Sequence, residues 1–160
     1  LLTYGLPGMR FFHEGQLEGA RVRLPVHLSR RPVESEDLRI ASFYEELLAA
    51  LDNSAVGRGE FEVLRPRSAW SDNSTDHCFV VVQWQSAPDA FDLVVVNLSA
   101  LPSQCYVTPN IAGLARREWR MEDLLGEEKY WRNGIEMQAR GLYLALPPRG
   151  AQLFHFTPAK

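Results

Sequence analysis

The fold is decided by Phe79-Val80-Val81-Val82-Gln83-Trp84 and, a few residues on, by Leu93-Val94-Val95-Val96-Asn97-Leu98-Ser99. β-Branched and aromatic residues dominate both runs, and such residues fit the pleated surface of a sheet. After Gly59 the period of the chain changes from helical to the alternation of strands, and similar short runs recur to the end. They predict strands over Glu60–Arg65, Cys78–Gln85, Leu93–Ser99, Gln104–Thr108, Arg116–Met121, Glu128–Arg132, Ile135–Ala139, Leu142–Leu146 and Ala151–Phe156.

Turn residues separate these runs. Asn133-Gly134 predicts a two-residue hairpin between the runs on either side of it, because a type I′ turn needs positive φ at both positions. Pro147-Pro148-Arg149-Gly150 predicts a second hairpin in the same way. Many short strands with turns between them are typical of a sandwich or a barrel. The sequence therefore predicts a mainly β fold, an antiparallel and Greek-key-like β-sandwich over residues 59–160.

The residues before Gly59 follow a different pattern. Ser35–Asp52 is predicted to be a helix, with Ser35 as its N-cap and acidic residues at the positive end of the helix dipole. Its apolar stripe is broader than a surface helix needs, so we expect cover on more than one side. The stripe comprises Leu38, Ile40, Ala41, Phe43, Tyr44, Leu47, Leu48 and Leu51.

The first thirty or so residues show little regular patterning. Leu1 to about Val33 is predicted to be irregular, apart from a strand-like Arg21–Val26. A segment of this kind cannot bury a core alone. The chain also opens on the apolar Leu1-Leu2-Thr3-Tyr4-Gly5, as though cut from a longer polypeptide, so we expect a fragment with a missing partner.

The composition is that of a soluble globular protein, with 46% hydrophobic and 23% charged residues and a net charge of −3. Mixed charges without a basic stripe argue against a nucleic-acid partner. Apolar runs far shorter than the roughly 20 residues needed to cross a bilayer argue against a membrane partner. No signal-peptide pattern is visible, and we expect a cytoplasmic location.

Motifs for metal, cofactor or nucleophilic chemistry are missing from the sequence. His13-Glu14 begins like a zinc-protease motif, but Leu17 stands where the second histidine is needed. The other histidines lie far apart, and His155 is interpreted as a hydrogen-bonded structural residue. Cys78 and Cys105 fit no metal spacing and are interpreted as buried thiols, with their pairing left open. We predict no metal, no cofactor and no catalytic residue in this chain.

Aromatic side chains offer one candidate binding surface, since sugar rings pack their C–H faces on indoles. Trp70 and Trp131 are the candidates for such a platform. The alternative is that large aromatics fill the core or an interface, as they usually do in sandwiches. The wider set weighed is Trp70, Trp84, Trp119, Tyr130, Trp131 and Tyr143.

A set of stretches in a fixed order carries a resemblance to a known family: Gly8-Met9-Arg10-Phe11-Phe12-His13-Glu14-Gly15-Gln16, Phe43–Leu48 followed by Ala55–Phe61, Phe79–Trp84 with Leu93–Ser99, and Gly141–Pro148 with Gln152–Phe154. Together they resemble the C-terminal part of an α-amylase-family glycoside hydrolase (family thirteen). The resemblance implies that residues 1–58 are the remnant of the last βα unit of a (β/α)₈ barrel. Residues 59–160 would then be the appended C-terminal sandwich.

The family's chemistry is retaining cleavage or transfer at α-glucosidic bonds, with an Asp nucleophile, a Glu acid–base and a second Asp. The resemblance implies that these acids follow the fourth, fifth and seventh barrel strands, upstream of Leu1. The nearest match in this chain, Gly19-Ala20-Arg21-Val22-Arg23, has Arg at the nucleophile position. Only the barrel rim is carried over, as substrate-binding candidates His13, Glu14 and Gln16.

The resemblance therefore predicts a non-catalytic piece of an enzyme that acts on α-glucans. Its partner is the missing catalytic barrel of the same polypeptide, and the isolated piece is expected to self-associate through the apolar helix. A carbohydrate-binding sandwich that uses exposed aromatics is the alternative, and an adhesion or scaffold sandwich is the third hypothesis. Hydrolase, transferase and isomerase activities of the parent stay open.

Overall fold

The computed structural model describes residues 1–22, 27, 30 and 32–159. The helices are α1 (Leu2–Gly5), α2 (Leu38–Asp52) and α3 (Gly134–Ala139), with short 3₁₀ turns at Thr75–Cys78 and Leu114–Arg116. The strands are β1 (Glu60–Leu64), β2 (Arg67–Ser68), β3 (Phe79–Ala87), β4 (Ala90–Asn97), β5 (Ser103–Val107), β6 (Glu118–Asp123), β7 (Lys129–Asn133), β8 (Leu142–Leu146) and β9 (Ala151–Pro158).

The strands form two antiparallel sheets, and the predicted mainly β fold is confirmed. The large sheet has the order β1-β3-β4-β9-β6-β7, and the small sheet has the order β2-β5-β8. Between the sheets lies an apolar core built from alternate residues of the strands. Its largest members are Trp119, Phe91 and Phe156, all fully buried.

Strand β4 lies inside the large sheet and is buried almost throughout. Leu93 and Val95 belong to the core beneath the small sheet. Val94 and Val96, which alternate with them, belong to a second core on the opposite face. Because successive side chains of a strand point to opposite faces, this pattern shows that the large sheet is covered on both sides.

The second cover is a helical layer, which we define as residues 1–22 and 37–56. Helix α2 packs Leu47, Ala50 and Leu51 against the sheet. This second core also contains Tyr4 and Val56 from the other parts of the layer. The large sheet contributes Val82, Trp84, Val94, Val96 and Leu153 to it. The molecule is therefore built in three layers, with the helical layer and the small sheet on opposite faces of the large sheet.

Helix α2 begins three residues later than the sequence pattern predicts. Asp37 is the N-cap, and its carboxylate accepts a hydrogen bond from the Arg39 N–H at 3.2 Å. The prediction of Ser35 as the cap is wrong, because an aspartate two residues further on satisfies the free N–H groups of the first turn.

The predicted strand Ile135–Ala139 is wrong, because these residues belong to helix α3. Asn133 has φ of −77°, outside the positive range of a type I′ turn, and its side chain accepts from the Glu136 N–H at 3.0 Å. Asn133 is thus a helix cap. Gly134 is needed for a different reason from the predicted one, since a Cβ there would collide with the Leu114 carbonyl.

The predicted second hairpin is also wrong. Pro147–Gly150 does form a turn, closed by the Gly150 N–H to the Pro147 carbonyl at 3.0 Å. However, β8 pairs with β5 in the small sheet and β9 pairs with β4 and β6 in the large sheet. The turn carries the chain from one sheet to the other, and Asn97 anchors it by donating its side-chain N–H to the Pro147 carbonyl at 2.9 Å.

The remaining predicted strands are present with boundaries shifted by at most three residues. The two-residue strand β2 was not predicted. The strand-like Arg21–Val26 falls largely outside the described residues, since 23–26 are not among them. The stretch 8–16 that resembles the last barrel strand forms turns and irregular backbone.

Candidate functional site

The predicted rim residues lie together in a turn of the helical layer. The Gln16 side chain accepts from the His13 N–H at 3.1 Å and donates to the Tyr4 and Tyr44 hydroxyls at 2.8 and 2.7 Å. Its amide oxygen is bonded and both of its N–H groups are donated within the protein. Gln16 therefore ties α1 to α2, and this is its observed role.

His13 and Glu14 are exposed beside Gln16. All three line a shallow depression whose wall includes Ile40 and Tyr44. The structure thus brings the predicted rim residues to one surface. Their contact with a sugar stays a prediction.

The predicted aromatic platform is not brought together. Trp70 follows β2 of the small sheet and is 51% exposed, whereas Trp131 lies on β7 at the edge of the large sheet and is 65% exposed. Within the described part of the chain no ring contact joins them. Two other candidates fill the cores, since the indole N–H of Trp84 bonds the Gly5 carbonyl at 2.8 Å and that of Trp119 bonds the Leu114 carbonyl at 2.9 Å.

A buried charged pair lies between the large sheet and the helical layer. The Asp92 side chain is 1% exposed, and its Oδ2 accepts from the Ala55 N–H at 2.7 Å. Its Oδ1 lies 2.7 Å from Nδ1 of His155. This hydrogen bond raises the pKa of His155, against the opposing effect of burial. Asp92 thus connects the C-terminal end of the helical layer to two neighbouring strands.

The same face of the large sheet continues as a charged, open surface. His155 lies opposite Glu122 in the strand register, and Glu122 lies opposite Lys129. The hydrogen bond from Lys129, at 3.1 Å, together with the Arg120 charge lowers the pKa of Glu122. Arg120 and Trp131 are register neighbours on this surface, which the helical layer leaves uncovered.

Burial affects the pKa of one thiol and one carboxylate in the described part of the chain. Both cysteines are free, and burial raises the pKa of the Cys105 thiol to about 12, aided by the Asp76 charge. Burial raises the pKa of Asp123. The hydrogen bonds that its carboxylate accepts from the Leu125 and Leu153 N–H groups act in the opposite direction. Among the described residues no group of His, Cys, Asp and Glu could hold a metal ion.

The sequence predicts no membrane partner, and the helices of the structure can be compared with that prediction. Within residues 1–22, 27, 30 and 32–159, no helix combines the length and the apolar character required to span a bilayer.

One aromatic pair was only partly predicted from the sequence. Tyr106 and Tyr143 face each other across β5 and β8 on the outer face of the small sheet, with ring centroids 5.4 Å apart. Tyr143 was among the aromatics considered, but Tyr106 was not. The available signal was alternation, because the buried Cys105 and Leu144 next to them require the two tyrosines to point outward.

Several solved structures align with part of this chain. A protein of Bacillus halodurans C-125, provisionally assigned as an α-N-acetylgalactosaminidase, aligns with a TM-score of 0.51 at 9% identity, over 79% of this chain and 27% of its own. A trehalose-6-phosphate hydrolase of Bacillus licheniformis aligns with a TM-score of 0.47 at 12% identity, over 74% and 18%. A family 27 β-L-arabinopyranosidase of Geobacillus stearothermophilus aligns with a TM-score of 0.41 at 21% identity, over 59% and 20%.

At these identities the likeness concerns the fold alone, and only the first of the three is close enough to support that. The chain spans about a quarter of the length of that protein. No protein-family model matches the chain, and no curated protein matches it. The fold of this chain is similar to that of one part of the larger Bacillus halodurans protein.

Proposed function

We propose that this chain is the non-catalytic β-sandwich part of a glycoside hydrolase that acts on α-glucans, and that its helical layer is the contact with a catalytic (β/α)₈ barrel. The α-glucan assignment rests on the sequence resemblance to the α-amylase family. The fold of larger glycoside hydrolases supports the coarser part of the proposal, an accessory domain.

The observation that carries the proposal is the two-sided character of the helical layer. Its inner side is bound to the large sheet by apolar packing and by buried polar contacts, including Asp92 with Ala55 and Trp84 with Gly5. Such contacts fix the layer in one position, because a buried polar group that loses its partner is costly. The helical layer therefore belongs structurally to the sandwich.

The outer side of the layer carries exposed apolar side chains. On α2, Leu38 is 71%, Phe43 54% and Leu48 37% exposed. Phe11 is exposed on the preceding segment, next to His13. An exposed apolar patch in a soluble protein indicates a binding surface, and the end of a barrel is the occupant that the resemblance implies.

The first experiment tests the absence of catalysis. Purified chain incubated with starch or maltooligosaccharides should release no reducing sugar. Turnover by a pure sample would overturn the proposal, because it would place an active site within these residues.

The second experiment tests the apolar outer side. The chain should bind a hydrophobic dye and should self-associate in sedimentation experiments, and Phe43→Glu should reduce both. Leu101→Glu is the matched control, because Leu101 is 68% exposed but lies on the loop between β4 and β5. A monomeric chain without dye binding, or equal effects of the two variants, would refute the docking surface.

The third experiment tests the partner. The reading frame upstream of Leu1 should encode a barrel that carries the Asp, Glu and Asp of the family, and the full-length product should act on α-glucosidic bonds. A reading frame without a barrel would remove the proposal whatever the outcome with the dye.

A further inference from the structure

A cleft lies between helix α3 and the outer face of the small sheet, on the opposite side of the molecule from the helical layer. We call it the tyrosine cleft, and its volume is about 240 Å³. One wall is the pair Tyr106 and Tyr143, whose rings are inclined at 57° to each other. Tyr143 is 45% exposed at the cleft. The other wall is formed by Arg132, Asn133, Glu136, Met137 and Arg140, and Gly141 and Leu142 complete the lining.

The cleft is held open by the backbone between α3 and β8. Gly141 has φ of +90°, and a Cβ at this position would lie 3.1 Å from the Arg67 guanidinium and from the Val107 carbonyl. The Arg67 side chain donates to the Arg140 carbonyl at 2.9 Å, which fixes the end of α3 against the small sheet. The floor of the cleft is thus a rigid contact between elements.

Two charged side chains of the cleft make no polar contact within the described part of the protein. Within the described residues, neither the Glu136 carboxylate nor the Arg140 guanidinium has a hydrogen-bond or ion-pair partner. Arg132 lies with its guanidinium 4.8 Å from the centre of the Tyr130 ring and donates from one nitrogen to the Trp131 carbonyl at 3.1 Å. The cleft therefore offers donors and one anionic acceptor beside an aromatic surface.

We infer that the tyrosine cleft binds one unit of a neutral saccharide, with the C–H face of the sugar on Tyr143 and its hydroxyls on Glu136 and Arg140. Hydroxyl groups both donate and accept, and the cleft supplies a carboxylate to receive hydrogen bonds and guanidinium groups to donate them. Its volume is below the roughly 300 Å³ lower limit of pockets for drug-sized ligands, and a single sugar unit suits it better.

The charges decide between a neutral and an acidic sugar. The carboxylate group of an acidic sugar can only accept hydrogen bonds, so it cannot donate to Glu136, and it would place its negative charge next to that residue. A neutral sugar can use the acid and the arginines at once. The inference does not depend on the proposed function, because the cleft and the outer side of the helical layer lie on opposite faces.

Calorimetric titration of the full chain with maltotriose and with cellotriose tests the inference. At least one of these probes should bind saturably. Tyr143→Ala should weaken binding about tenfold, because the stacking surface is lost, and Tyr106→Ala and Glu136→Ala should each weaken it several-fold. Trp131→Ala is the matched control and should bind as the parent does, since the Trp131 side chain points to the opposite face of β7 from Arg132 and is not part of the cleft lining.

Circular dichroism and thermal unfolding establish that each variant is folded before its affinity is compared. Absence of saturable binding to both probes would overturn the inference, as would equal affinities of the parent and folded Tyr143→Ala. Tighter binding of trigalacturonate than of either neutral probe would overturn the assignment to a neutral sugar.

Discussion

The two faces of the large sheet are covered by different means. On the face toward the small sheet, Phe91 stacks on Phe156 with centroids 4.3 Å apart and meets Trp119 edge-on at 5.2 Å. On the face toward the helical layer, an apolar core is crossed by polar contacts made by Asp92, Gln16 and Trp84. Apolar packing dominates the first interface, where Asn97 also donates to the Pro147 carbonyl, whereas the second has polar contacts near both ends of the helical layer.

This difference shows how a helical layer with a short apolar stripe on its inner side is held in place. Apolar burial is not directional, so a wide sheet-to-sheet core is sufficient to join two β-sheets. Helix α2 buries only Leu47, Ala50 and Leu51. Bonds from Ala55 to Asp92 and from Trp84 to Gly5, near the two ends of the layer, orient it on the sheet.

The largest loss of stability is expected for a substitution in the core between the two sheets. Trp119→Ala should lower the free energy of unfolding by about 3–5 kcal/mol, because it opens a cavity in the sandwich core and leaves the Leu114 carbonyl without its indole donor. Urea unfolding followed by circular dichroism measures the change. Trp131→Ala, at an exposed position, is the control and should change stability by less than about 0.5 kcal/mol. Similar losses in the two variants would show that the sandwich core does not dominate stability.

Asp92→Ala should have the next largest effect. It leaves the buried Ala55 N–H without an acceptor and His155 without its partner. We expect a loss of about 2–3 kcal/mol, because the His155 side chain is 26% exposed and can still reach water. Asp92→Asn keeps an acceptor for Ala55 and should lose less. If the two substitutions are equally costly, the hydrogen bond to Ala55 is not what holds the helical layer.

Tyr44→Phe should have a smaller and local effect. The substitution removes the hydroxyl that accepts from Gln16 while keeping the ring, for an expected cost of about 1 kcal/mol. Amide hydrogen exchange should become faster in the helical layer and stay unchanged in β5 and β8. Tyr143→Phe offers the comparison, and faster exchange across both sheets in Tyr44→Phe would contradict the local role of the Gln16 contacts.

The smallest expected effect is a pH dependence of stability that arises from His155, on the face of the large sheet that carries the helical layer. The pKa of folded His155 is raised above the ordinary value of 6.5, chiefly by its hydrogen bond to Asp92. Its pairing therefore contributes fully below pH 6.5 and is lost as the pH rises through the raised pKa. The stability difference between the parent and His155→Gln should shrink as the pH rises from 6.5 through the raised pKa of His155.

Asp92→Asn provides the control for this titration, because it removes the charged partner of His155. In that background the same comparison should be nearly independent of pH. A stability difference in the parent that grows with rising pH would have the wrong sign and would exclude the pairing.

Much of the fold was predictable from local pattern. The strand Leu142–Leu146 matches its prediction residue for residue, because alternation marks every side chain as inward or outward. The segment Ile135–Ala139 was predicted wrongly, because the Asn-Gly pair before it satisfies both a hairpin turn and a helix cap. What selects the helix is the close approach of Gly134 to the Leu114 carbonyl, a contact distant in sequence.

The candidate sites were less predictable than the fold. The rim residues His13, Glu14 and Gln16 do share one surface, but the internal bonds of Gln16 depend on tyrosines 12 and 28 positions away. Trp70 and Trp131 both look suitable in sequence, and their separation depends on which sheet each strand joins. The tyrosine cleft needs β5, β8 and α3 to meet, so no local pattern reveals it.

The mainly β class, most strand positions and the helical nature of α2 follow from the period of apolar residues along the chain. The strand partners, the transfer of the chain from β8 in the small sheet to β9 in the large one, and the burial of Asp92 between layers depend on the folded arrangement. The physical reason is that periodicity records which side of an element is apolar. Which other element covers that side is settled by long-range packing and by the pairing of buried polar groups.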